Sequence, residues 1–185
     1  MAITVWIAFG VAAALLLWAV LAFNGLVRAR NQVRAAFADV DVQLTKRHDL
    51  VPALVESVRG YVRHERGTLE DVVRLRGEAG KPRADADSEA RENALASAMG
   101  RLLALVEAYP ELKADGQFAQ LTRELVAVED ALQYARRYYN GSVRDLNNRI
   151  QRFPDLLVAR ALGFVEQAFY EVARIEQREA PRVAL

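Results

Sequence analysis

The sequence predicts an all-α protein, a single N-terminal transmembrane helix followed by an antiparallel helical bundle with long helices. Three observations carry this expectation. An uncharged apolar stretch opens the chain, apolar residues then recur in steps of three and four, and no period-two alternation between turn pairs survives a pass along it. The 185 residues hold 25 Lys+Arg against 24 Asp+Glu, a net charge of +1, and no cysteine. Without cysteine there is no disulfide framework, thiolate metal site, cysteine nucleophile or lipid-modified cysteine anchor. The near-balance of interspersed charges argues against a nucleic-acid surface, which needs clustered excess Lys and Arg.

Met1 to Val27 carries no charged side chain, and Arg28 is the first. As a helix, the apolar run Ala2 to Phe23 is about 33 Å long, enough for a hydrocarbon core of roughly 30 Å. A cleaved secretory signal would want a basic region ahead of a shorter apolar core, and nothing basic precedes this run, so an uncleaved anchor is the preferred reading. Trp6 and Trp18 are compatible with interfacial anchoring. Arg28, Arg30 and Arg34 follow directly, so the positive-inside rule leaves the N-terminus outside and the bulk of the chain in the cytoplasm. The expected location is the inner membrane, crossed once. The same arginines are candidate contacts for anionic lipid headgroups, each worth roughly 1 kcal/mol near the surface.

Beyond the span, Val33, Phe37, Val40, Leu44, Val51, Leu54, Val58, Leu69 and Val72 form one helical stripe in which Arg47, Tyr61 and Glu65 fill the missing positions. Pro52 removes a backbone donor inside it, so a kink or restart is expected there, with Asp49 capping a new helix. Gly77 to Asp87, reading GEAGKPRADAD, is the one clear long loop. Leu95, Ala98, Leu102, Leu105 and Tyr109 make the next stripe, closed by Pro110 and Gly116. Phe118 to Phe153 then runs at almost unbroken three-four spacing, with one irregular step from Tyr139 to Val143 beside Gly141. Pro154 opens a last helix whose expected face is Leu157, Ala161, Phe164, Ala168, Val172 and Ile175. The expected division is therefore 1–27 anchor, 28–178 helical bundle and 179–185 frayed tail.

A straight helix from Asn24 to Arg76 would reach about 80 Å, against about 36 Å for one from Ala86 to Tyr109. On that comparison the membrane-proximal stripe of Val33, Phe37, Val40 and Leu44 lacks an obvious intrachain cover unless Pro52 folds the segment back into its own bundle, and a second copy of the chain is expected to supply it. The bilayer raises the effective concentration of copies, and Gly10, Ala13 and Ala14 offer small residues for close approach of spans.

The stretches RNQVRAAFADVDVQL (Arg30 to Leu44), RHDLVPALVESVRGYVRHE (Arg47 to Glu65), YPELKAD (Tyr109 to Asp115), YYN (Tyr138 to Asn140) and RFPD (Arg152 to Asp155) closely resemble the LemA family. The resemblance covers nearly the whole chain and includes motif order and the short N-terminal anchor. It implies an all-helical bundle held at the bacterial envelope, without an established catalytic activity. It further implies structural or accessory membrane roles, some tied to organelle formation in magnetic bacteria and some to membrane metalloproteases. Relatives with a lipoprotein cysteine in place of the span differ from this chain, so their periplasmic placement is not carried over.

No catalytic, cofactor or metal site is expected. His48 and His64 are the only histidines, and Thr45 and Tyr61 stand three residues before them, so the Glu-x-x-His pairs of a carboxylate two-metal bundle are missing. Glu56 and His64 lie about 12 Å apart along a helix, too far to share a metal without another helix. Neither a phosphate-cradling glycine loop nor a nucleophile elbow occurs. Polar residues on or beside the seams, Arg47, His48, Asp49, Asn140 and Asn147, are expected instead to hydrogen-bond across helices and fix register. The expected function is a non-catalytic envelope scaffold that self-associates. The alternatives are an accessory subunit of a membrane protease or envelope sensor and, further off, a metal-dependent enzyme.

Overall fold

The computed structural model describes residues 1–61, 66–80 and 87–170, and among these every regular element is a helix. They are α1 (Ala2–Arg59), α2 (Arg66–Ala79), α3 (Ser88–Val106), α4 (Pro110–Lys113), α5 (Gly116–Gln151) and α6 (Asp155–Ala161). The chain divides into two compact units. The first comprises Met1–Asp41 with Gln133–Phe169, and the second, among the described residues, Val42–Leu132 with Tyr170.

Helix α1 runs 58 residues with Pro52 inside it. The expected restart with Asp49 as its cap is therefore corrected: the helix passes through Pro52. The physical reason lies at His48. Pro52 has no N–H to give the carbonyl four residues back, and Arg76 of α2 supplies the substitute, its Nε donating to the His48 oxygen at 2.8 Å. A defect that would break an isolated helix is repaired by a neighbour.

In the second unit Val51, Leu54 and Val58 of α1 pack with Leu69 and Val72 of α2, Leu95, Met99, Leu102 and Val106 of α3, and Leu112, Phe118 and Leu125. Each fully buried Leu here contributes about 2 kcal/mol by removal from water. The start of α5 is set by Asp115, whose Oδ1 accepts the Phe118 N–H at 2.8 Å as a helix cap. From there α5 continues unbroken for 36 residues through Gly141, as its seam predicts.

In the first unit Ala22, Leu26, Ala29 and Val33 of α1 pack against Val143, Leu146 and Ile150 of α5 and Val158 and Ala159 of α6. This overturns the expectation of an uncovered membrane-proximal stripe. Val33, Val40 and Leu44 are 5%, 1% and 2% exposed, and Phe37, at 40%, rests against the Tyr139 ring with centroids 5.7 Å apart. The length comparison used α3 as the returning partner, whereas Val33 is covered by α5.

The last helix is also shorter than expected. It ends at Ala161, and Gly163 takes φ +69°, a left-handed conformation that any other L-residue adopts at a cost. The Phe164 N–H reaches the Ala159 carbonyl at 2.9 Å and the Gly163 N–H that of Arg160, which together make a glycine C-terminal stop. Phe164 and Ala168 follow in non-helical chain, and Val172 and Ile175 lie outside the described residues.

Candidate functional site

Two polar arrangements stand out, one in each unit. In the second, Arg47 sits on the buried side of α1 with its side chain fully enclosed. Its Nη2 donates to a carboxylate oxygen of Glu92, 1% exposed on α3, and its Nη1 reaches Glu129 Oε1 of α5 at 3.3 Å. His48 Nε2 lies 3.1 Å from the same Glu92 oxygen. With Arg76 of α2 bonded to the His48 carbonyl, the cluster ties together α1, α2, α3 and α5. Burial alone would push the Glu92 carboxyl up, but the hydrogen bond with His48 and the Arg47 charge outweigh it and hold the carboxyl below its ordinary value. A buried charge paired across three helices favours one choice of partners and one register.

In the first unit Asn147 of α5 performs a different task. Its Nδ2 donates to the Gln167 carbonyl and its Oδ1 accepts the Gln167 N–H, both at 2.9 Å. The amide thus satisfies both backbone groups of one residue in the non-helical segment after α6. Tyr139 Oη donates to the Ala168 carbonyl at 3.1 Å, and Gln151 bonds Glu166 at 2.9 Å. Phe164 anchors the same segment, with its ring edge-on to Phe23 at 6.2 Å and the Arg30 guanidinium 5.3 Å from its centroid.

Arg47, His48 and Asp49 therefore belong to the second unit, where Asp49 is exposed, and Asn140 and Asn147 to the first, where Asn140 is half-buried. Sequence reading missed Glu92 and Glu129. The signal for Glu92 was present: with Leu95, Met99, Leu102 and Val106 it steps by three and four, making it the seam acid of α3 that answers the seam base of α1. Arg28, Arg30 and Arg34 are all exposed, and the Arg149 guanidinium lies over Gly25, where an added Cβ would come within 2.6 Å of it.

Among the described residues no group of three or more His, Asp and Glu is gathered to hold a metal ion, and His64 lies outside them. An open crevice of about 670 Å³ is lined by Gly60, Tyr61, Ala108, Tyr109, Pro110 and Glu111. Those lining residues supply two phenols and one carboxylate but no paired base and nucleophile.

A sequence model of the LemA family matches residues 36–185. Protein LemA of Metamycoplasma hominis is 26% identical over 155 residues, covering 83% of this chain and 71% of that protein. The magnetosome protein MamQ of Magnetospirillum gryphiswaldense is 30% identical over 94 residues, which is 51% of this chain and 33% of MamQ. Magnetosome protein MamQ 2 of Paramagnetospirillum magneticum is 29% identical over 75 residues, or 40% of this chain and 28% of its own length. The motifs from Arg30 to Asp155, the all-helical build and a family match over most of the length agree, and the chain belongs to the LemA family.

Proposed function

We propose that this protein is a membrane-anchored, non-catalytic helical scaffold whose copies associate in the plane of the membrane. The observation that carries the reading is α1 itself. One continuous helix has an almost bare apolar first part, a candidate membrane span, and beyond it residues that are buried in the core of each unit. Likeness to proteins named for the magnetosome supports a structural role over a reaction in this reading.

Because Val33, Val40 and Leu44 are buried within the chain, association is assigned to the span, where an added Cβ at Gly10 meets no neighbour and Ala13 and Ala14 follow. Extraction of the full chain into native-lipid particles should give particles with several copies, and Gly10→Leu should reduce the number. A wild type with one copy per particle overturns self-association. A stoichiometric second protein on that single copy would favour an accessory role, such as service to a membrane protease.

The exposed Arg28, Arg30 and Arg34 orient the bundle toward the cytoplasm in this reading. A reporter active only in the periplasm, fused after Leu185, should stay silent, and a strong signal would reverse the orientation.

A further inference from the structure

Helix α6 and the residues flanking it present large apolar side chains that the protein leaves open. Phe153, Leu157, Leu162 and Val165 are 74%, 55%, 57% and 68% exposed. Such a concentration on one short element is unusual for a surface that faces water. Where this element sits explains it. Leu157, Val158, Ala161 and Leu162 line an apolar groove of about 410 Å³ whose other wall is Ala19, Val20 and Phe23 of α1. Ala19 and Val20 lie inside the uncharged run, roughly 12–14 Å along the helix axis from Arg28, the first charged side chain. An element packed against them is at the depth of the span, not beyond it.

The polar surroundings agree with that depth. Arg30 lies over the Phe164 ring and Arg149 over Gly25, so exposed guanidinium groups from both α1 and α5 collect where the apolar run gives way to charge. Arginine at that level reaches lipid phosphates while its stem covers apolar surface. Of the acids on this element, Asp155 is buried against Arg152 at 3.5 Å and Glu166 is bonded to Gln151.

We propose that Phe153 to Val165 is an interfacial shelf seated at the headgroup and acyl boundary of the bilayer that α1 crosses, with lipid acyl chains covering Phe153, Leu157, Leu162 and Val165. The shelf rests on the anchoring reading of α1 and adds a second point of membrane attachment from the far end of the chain's longest return helix. The occupant is lipid rather than protein because the exposed face continues the bare surface of the span itself.

The chain has no cysteine, so Leu157→Cys, Leu162→Cys and Val11→Cys each place one environment-sensitive fluorophore on the full-length protein. All three positions are exposed, so the labels displace no packed side chain. In vesicles of phosphatidylethanolamine and phosphatidylglycerol, lipids brominated near the top of the acyl chain should remove roughly half or more of the fluorescence at Leu157 and Leu162. Lipids brominated deep in the chain should quench Val11. Quenching at Val11 with none at Leu157 and Leu162 overturns the shelf and leaves the anchor standing. The same pattern with blue-shifted labels at Leu157 and Leu162 identifies a second copy as the cover, which also overturns it. An unquenched Val11 removes the anchor, and the shelf with it. Phe153→Cys repeats the measurement outside α6.

Discussion

Glu92→Ala should be the most damaging single substitution in the second unit, costing about 3–5 kcal/mol because it leaves the enclosed Arg47 guanidinium with one carboxylate, Glu129, itself 38% exposed, and the backbone carbonyl of residue 92 at 3.4 Å. That is a large share of the roughly 5–15 kcal/mol that holds a typical domain folded. Trp6 and Trp18, the only two tryptophans, lie in the apolar run, so their fluorescence does not report this unit. Urea unfolding of the full chain in detergent, followed by far-ultraviolet circular dichroism, should show the loss as an earlier transition. Replacing both partners, Arg47→Met with Glu92→Leu, should cost less than Glu92→Ala alone, because no charge remains to be solvated in the core. A double replacement as damaging as the single would show that Arg47 acts through its packed stem rather than its charge. The acid dependence has a definite sign. Folding lowers the Glu92 carboxyl below its ordinary 4.5, so its contribution is fully present above that value and is lost as pH falls through the lower folded one. Glu92→Gln should flatten that part of the acid-stability curve.

The helical periods made the long elements legible, since a three-four stripe is a local property and α1, α3 and α5 follow theirs. Misreadings arose where a distant residue changed a local rule. Pro52 reads as a break in any window around it, and only Arg76, 24 positions on, cancels the missing donor. The stripe through Val33, Val40 and Leu44 looked open because the pairing of helices is not a local property. Gly163 is the instructive error. A glycine just past a seven-residue helix is a stop signal that sequence alone offers, but the apolar residues Phe164 and Ala168 kept the period of three and four and concealed it. The charged cluster was half legible for a related reason. Arg47 on a seam demands a partner, and the period picks out Glu92 on α3, but Glu129 enters only through the tertiary fold.

Asn147→Ala should loosen the non-helical segment after α6 while leaving the helices in place. One side-chain amide satisfies both backbone groups of Gln167, so removing it deletes two hydrogen bonds at once, worth about 2 kcal/mol together. The loss is local because the segment is held by side chains of α5, through Tyr139, Asn147 and Gln151, and by the Phe164 ring, not by a ladder of its own. Hydrogen exchange of the Gln167 amide should therefore quicken roughly thirty-fold, with the amides of α5 near Leu146 barely changed. Asn147→Asp separates the two bonds. A carboxylate still accepts the Gln167 N–H but turns a second acceptor toward the Gln167 carbonyl, so at neutral pH the segment should be at least as loose as in the alanine variant. Protonating that carboxyl restores a donor, and protection should return in part as the pH is lowered through its titration. An aspartate variant whose exchange at Gln167 equals that of the wild type at neutral pH would mean that the donation to the Gln167 carbonyl contributes nothing, and that Tyr139 and Phe164 alone hold the segment.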